Sequence, residues 1–170
     1  MIKLITLGKR VKRYISLFKA ATILISIMAL NSPAFASFLP QKLENWSLLS
    51  EHVTELTASE NLGRWTSASY VRLIPPADID VQLTEGSGPG KLFVPEGMIF
   101  SDDGPIGFLS TYETLSIAGM RAILERSNVT GQALVVALGA QTITFESRGI
   151  SREELFAFAE SMIEALNEEH

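Results

Sequence analysis

Apolar and polar residues alternate along much of the chain after Gly63, which is the period of β-strands that bury one face. In residues 79–85, for example, Ile79, Val81 and Leu83 fall on one side and the residues between them are polar. Other stretches with strand character are RWTSASYVRLI, KLFV, LSTYETLSI, MRAILER, ALVVAL and QTITFES. We therefore predict an antiparallel sheet built as a meander, in which KLFV pairs back onto the strand before it.

Residues 133–138, ALVVAL, are apolar at every position, so both faces of this strand are expected to be covered. We predict that the strand lies inside the sheet, with a helix over one face. The following Gly139-Ala140 pair has the length and the leading glycine of a type II′ hairpin turn, so it should lead directly into QTITFES.

A helix is predicted on the N-terminal side of the sheet. Trp46, Leu49, Val53 and Leu56 follow one another in steps of three and four residues. Because this spacing is typical of the buried face of a helix, we predict a helix over residues 42–58.

A second helix is predicted at the C-terminal end. Gly149 permits a sharp change of chain direction, and Ser151 with Glu154 has the spacing of a capping box. The predicted fold class is therefore α+β, an antiparallel sheet packed against N-terminal and C-terminal helices. The apolar face of the second helix is expected to consist of Leu155, Phe156, Ala159, Met162, Ile163 and Leu166.

Residues 1–36 have the three parts of a secretory signal peptide in the usual order. A basic leader without acidic residues comes first, then residues 20–30 without charge, and then Ala34 and Ala36 at the −3 and −1 positions of a cleavage site. We predict a bacterial signal peptide cleaved after Ala36, which leaves residues 37–170 as a single periplasmic or secreted domain. The alternative is a retained membrane anchor, although a span needs roughly 20 apolar residues.

Removal of residues 1–36 changes the charge strongly, because they contain six of the fourteen basic residues and none of the nineteen acidic ones. The remaining chain has eight basic residues and a net charge of −11. We therefore expect neither nucleic acid nor anionic lipid as a partner, and no stable membrane insertion after cleavage. The chain has no cysteine, which excludes disulfides and thiol chemistry.

Candidate catalytic groups are few, and each has an ordinary structural explanation. His52 is the only histidine away from the C-terminus, on a predicted helix where adjacent residues do not face each other. Ser87 lacks the turn of a hydrolase nucleophile, and Gly90-Lys91 lacks the Ser or Thr that completes a phosphate-binding loop.

Carboxylates leave two further options open. Asp102 and Asp103 would suit a calcium ion on a loop, but Asp-Gly is also a common turn pair. Asp78 or Asp80, which flank Ile79, together with a distant acid would suit glycoside hydrolysis. We assign no catalytic residue, no metal ligand and no cofactor.

Aromatic residues are spread along the chain without interleaved basic residues, which argues against stacking on nucleic acid bases. A sheet under a helix often leaves a groove that binds small molecules. Trp65, Tyr70 and Tyr112 are the residues that we predict to line such a groove.

Residues 109–166 run from strands through a glycine corner into a last helix, with the segments LSIAGMRAILE, TITFESRGIS and EELFAFAESM. This order resembles the exported domains of some bacterial regulators and lipoprotein-carrier-like proteins. The resemblance implies a domain that senses or carries a partner without catalysis.

We therefore predict a non-catalytic domain of the cell envelope that binds a protein, a peptide or a small apolar ligand. The alternatives are a small exported hydrolase that uses carboxylates and a structural accessory subunit of an envelope complex. A carrier should have an apolar cavity between sheet and helix, whereas an enzyme should bring His52, or acids such as Asp78 and Asp103, together in a pocket. An accessory should expose an apolar patch.

Overall fold

In the described part of the chain, nine antiparallel strands form one sheet, and a C-terminal helix packs on one face of it. The structure is a computed structural model that describes residues 37–56, 63–86, 92–97, 99–104 and 109–168, which belong to the unit Ser37–His170. No helix within these ranges is long and apolar enough to cross a membrane. The elements are β1 (Lys42–Leu43), β2 (Trp46–Leu56), β3 (Gly63–Leu73), β4 (Pro76–Gly86), β5 (Phe100–Asp102), β6 (Thr111–Ile117), β7 (Met120–Ser127), β8 (Gly131–Leu138), β9 (Gln141–Ser147) and α1 (Arg152–Glu168).

Two meanders lie side by side in the sheet, whose strand order is β1-β2-β3-β4-β9-β8-β7-β6-β5. They meet where β4 pairs with β9, and this places Val81 opposite Phe145 on the buried face. β8 lies between β7 and β9, which confirms that ALVVAL is an interior strand. The predicted strand over KLFV is wrong, since its described residues 92–94 form no strand. The edge of β4 pairs with β9 instead.

The predicted N-terminal helix over residues 42–58 is wrong, because its described part consists of β1 and β2. A β-bulge explains the misleading spacing. Leu48 and Ser50 pair with adjacent residues of β3, so Leu49 is an extra residue without a partner there and is 68% exposed. The bulge reverses the alternation within β2, so that Trp46 and Val53 lie on the same face of the sheet although they are seven residues apart, a separation that is typical of one face of a helix.

Helix α1 begins as the sequence predicts. The Ser151 hydroxyl accepts a hydrogen bond from the N–H of Glu154 at 3.2 Å, and the Glu154 carboxylate accepts one from the N–H of Ser151 at 3.0 Å. This confirms the capping box. Arg72 of β3 binds the same carboxylate at 2.8 Å, and Arg152 binds both oxygens of Glu113 on β6. Both ion pairs hold the N-terminal half of α1 on the sheet.

The core under this half of α1 is aromatic. The Phe158 ring packs edge-to-face on Trp46, Tyr70 and Phe145, with ring centroids 5.3, 5.2 and 5.9 Å apart. Such pairs contribute about 0.5–1.5 kcal/mol each beyond the area that they bury. The predicted apolar face of the helix omitted Phe158, although it correctly included Leu155, Ala159, Met162 and Ile163, which are buried.

Candidate functional site

A cavity of about 290 Å³ lies between the sheet and the C-terminal half of α1. Much of its wall is apolar: Leu83, Met120 and Leu138 of the sheet and Ile163 and Leu166 of α1. This volume is at the lower end of the range for small-molecule sites and would hold about ten non-hydrogen atoms.

Residues at the ends of strands form the part of the cavity wall that belongs to the sheet. Leu138 and Gln141 flank a two-residue turn whose first residue, Gly139, has a φ of +69°, as the first position of a type II′ turn requires. Gln141 in turn pairs with Glu85 near the end of β4. The cavity therefore lies at the end of the sheet opposite the β3–β4 hairpin tip at Leu73.

One wall of the cavity is polar. The Glu85 carboxylate forms an ion pair with Arg64 and accepts a hydrogen bond from Gln141 Nε2 at 2.7 Å. All three side chains are half-buried. Because the two charges neutralise each other, the wall offers donors and acceptors without net charge. It therefore suits a ligand with an apolar body and a polar group better than it suits an ion.

The N-terminal segment, residues 37–40, lies at the mouth of the cavity, and its first two residues contribute to the lining. The Arg64 guanidinium lies over the Phe38 ring, 4.0 Å from the ring centroid. The Tyr70 hydroxyl donates a hydrogen bond to the Pro40 carbonyl oxygen at 2.6 Å. Contacts to two side chains of β3 thus hold the segment in place.

The three predicted groove residues do not line one groove. Tyr70 is fully buried under Phe158, on the face that α1 covers. Trp65 and Tyr112 lie on the opposite face, on β3 and β6, which are five strand spacings apart, or about 24 Å along the sheet. Their roles in ligand binding stay predictions.

Tyr112 lies near two acidic side chains, those of Asp103 and Glu125. Its hydroxyl donates a hydrogen bond to Asp103 Oδ2 at 3.4 Å. Desolvation raises the pKa of the Tyr112 phenol, and the negative charges of Glu125 and Asp103 raise it further. The phenol therefore remains a neutral donor at physiological pH.

The acids named as a catalytic pair do not meet. Asp78 lies on β4 and Asp103 follows β5, five strand spacings away, or about 24 Å along the sheet. Asp102 Oδ1 instead accepts a hydrogen bond from the N–H of Gly104 at 2.7 Å, which is the geometry of a local turn. Among the described residues, no group of three or more His, Asp or Glu residues could hold a metal ion.

A shallower groove of about 270 Å³ lies on the sheet face away from α1. It brings His52, Trp65 and two carboxylates of neighbouring strands together, a set that sequence reasoning missed because it depends on the register of β2, β3, β4 and β9. The groups that line it include Ser50, His52, Trp65, Ser67, Ser69, Asp80, Gln82 and Glu146.

Some predicted features lie outside the described residues. These are the leader, residues 1–36, together with Ser87 and the Gly90-Lys91 pair.

No known family, no curated protein and no solved structure matches this chain. Its fold and its cavity define a class only in physical terms: an antiparallel sheet with one packed helix and a small amphipathic cavity between them.

Proposed function

We propose that this protein is a non-catalytic binding domain of the cell envelope that holds a small apolar ligand with one polar group. The cavity between the sheet and α1 carries this proposal. Burying an apolar ligand of this size against aliphatic side chains is favourable by about 25 cal/mol per Å². The hydrogen-bonding groups of the polar wall would fix its orientation, as is usual in small-molecule sites.

The location in the envelope rests on the signal-peptide pattern of residues 1–36 and on the acidic composition that follows it. A periplasmic or secreted binding domain meets small molecules directly, and a strongly negative surface keeps it soluble. An envelope protein that receives or delivers the ligand is the partner that this role implies.

Titration with 2-naphthol tests the proposal, since this probe has an apolar body and a single hydroxyl. We expect saturable binding by fluorescence, with a Kd on the order of 10–100 μM for so small a ligand. Leu166→Trp places an indole in the cavity from a half-buried helix position and should weaken binding at least about tenfold.

Leu73→Ser is the matched control, because Leu73 is 82% exposed at the far hairpin tip, next to Ile74 at 88%. This tip is the apolar patch that a structural accessory would use. Unchanged binding in Leu73→Ser and loss in Leu166→Trp support the cavity. Absence of saturable binding, or equal affinity in Leu166→Trp, contradicts it.

A hydrolase is the second candidate, and the groove on the other face favours it. His52 pairs with Ser67 across β2 and β3, and the Ser69 hydroxyl donates a hydrogen bond to Asp80. This candidate is weaker, because His52 and Asp80 are exposed to water rather than enclosed. Turnover of p-nitrophenyl acetate that falls at least about a hundredfold in His52→Gln would establish it. Equal slow rates in both proteins would count against it.

A further inference from the structure

One carboxylate, that of Glu51 on β2, collects the hydrogen-bond donors of the N-terminal segment. The Ser37 hydroxyl lies 3.0 Å from Oε2 and 2.6 Å from the Leu39 carbonyl oxygen, and its single hydrogen is shared between these two acceptors. The backbone N–H groups of Phe38 and Leu39 donate to Oε1 at 3.1 and 3.0 Å. Three consecutive residues therefore converge on a single half-buried anion.

This anion accepts hydrogen bonds, but it forms no ion pair with another residue in the described part of the chain. Three ion pairs join described residues, and none of them includes Glu51. A cation within about 4–6 Å stabilises a carboxylate further, in addition to its hydrogen bonds. A positive charge beside Ser37 would therefore be favourable at this position.

We propose that Glu51 is the binding site for the α-ammonium group that cleavage after Ala36 would create on Ser37. The inference rests on the proposed processing of the leader. Hydrolysis of the Ala36–Ser37 peptide bond by a signal peptidase consumes one water, leaves a carboxylate on Ala36 and frees the amine of Ser37. That amine takes up a proton near neutral pH, because an α-amino group has a pKa of about 7.7–8.0.

The position of Ser37 fits this role. In any rotamer its nitrogen lies within about 4 Å of its own hydroxyl oxygen, which is itself 3.0 Å from Glu51 Oε2. The new charge thus lies at most about 7 Å from the carboxylate and acts beside donors that are already in place.

The proposed ion pair acts on the mouth of the cavity. Phe38 follows Ser37 directly and stacks on Arg64 of the polar wall. An ammonium group bound to Glu51 fixes the start of the segment that carries Phe38. Removal of the leader would therefore complete the binding site as well as release the domain.

The experiment uses the full chain, exported and processed, with and without one glycine inserted between Ala36 and Ser37. Cleavage after Ala36 then leaves the ammonium group either on Ser37 or one residue, about 3.8 Å, further away. We expect the insertion to lower Tm by about 3 °C in the protein with Glu51 and to have no effect in Glu51→Gln.

Glu55→Gln is the control, because Glu55 is an exposed glutamate on the same strand. The insertion should still lower Tm by about 3 °C in this variant. The intact mass of each purified protein reports its N-terminus. An N-terminus other than the one expected overturns the processing on which the inference rests. If the N-termini are as expected but the insertion changes Tm equally in the parent protein and in the Glu51→Gln variant, the assignment of Glu51 itself is overturned.

Discussion

The two halves of α1 pack on the sheet in different ways. Over the N-terminal half, three aromatic rings surround Phe158, and ion pairs from Arg72 and Arg152 tie the helix to two strands. Over the C-terminal half, Ile163 and Leu166 face a cavity. The helical period continues through both halves, so the difference comes from the sheet. Large rings of the sheet fill the space under the N-terminal half, which we call the closed end. Aliphatic and polar residues leave space under the C-terminal half, which we call the open end. We infer that stability is concentrated at the closed end and ligand binding at the open end.

The largest expected effect is at the closed end. Phe158→Ala should lower the free energy of unfolding by about 3–5 kcal/mol, because it leaves a cavity between three rings. Urea denaturation measures this loss. Phe156→Ala, two positions away in the same helix, removes a half-buried ring that contacts Arg152 and should cost about 1 kcal/mol. Equal losses in the two variants would refute the special role of the aromatic end.

A similar truncation at the open end should cost much less. Leu166→Ala removes a half-buried side chain that already borders empty space, so we expect a loss of about 1 kcal/mol in unfolding free energy. The affinity for 2-naphthol should fall severalfold in the same variant. Urea denaturation and fluorescence titration give both numbers. A loss comparable to that of Phe158→Ala would remove the contrast between the two ends.

Much of the fold can be read from the sequence, and the failures have specific causes. Alternation in β4 and β9 and the capping box of α1 are local signals, and they predict these elements correctly. The N-terminal helix failed because the bulge at Leu49 adds one residue to β2. The pairing of β4 with β9 is a long-range choice, and no local pattern in either strand specifies it.

The cavity was harder to predict than the fold, although the sequence contains one indication of it. Glu85 and Gln141 occupy positions on the buried face of β4 and β9, two residues from Leu83 and Ile143. Polar residues that continue an apolar alternation mark a place where the buried face turns polar. The aromatic residues chosen instead were selected by type, and only the register shows that Tyr70 lies under the helix while Trp65 and Tyr112 lie on the other face.

Thr66 lies on β3 between the two ends, next to Ala68 on the aromatic side and Arg64 on the cavity side. It is fully buried, and its hydroxyl is the buried side-chain atom that has no hydrogen-bond partner in the described part of the chain. Thr66→Val should raise the free energy of unfolding by about 1 kcal/mol, since it removes an unpaired polar atom with little change of shape. Thermal denaturation checks this. The control is Thr84→Val, because Thr84 is a half-buried threonine on the sheet face away from α1. A destabilised Thr66→Val protein would show that the hydroxyl is bonded in solution.

The smallest effect concerns pH and the ion pairs of the closed end. Hydrogen bonds from the Ser151 N–H and from Arg72 lower the pKa of Glu154, and a hydrogen bond from Arg152 lowers the pKa of Glu113. A carboxyl with a lowered pKa in the folded state stabilises that state above its unfolded pKa of about 4.3 and loses this contribution as pH falls through its folded pKa. Glu113→Gln should therefore flatten the decline of Tm between about pH 5 and pH 2. A profile that is as steep as that of the parent would contradict the ion pair's role.

The most direct test of the contrast uses two methionines as reporters. Met120 lines the cavity, whereas Met162 is fully buried in the core. The protein is labelled with ¹³C at the methionine methyl groups and titrated with 2-naphthol, whose ring current shifts nearby methyl signals. We predict a saturable shift of the Met120 signal and little change in the Met162 signal. A shift that is larger at Met162, or shifts at neither residue while the probe binds, would contradict the assignment of the ligand to the open end of the helix.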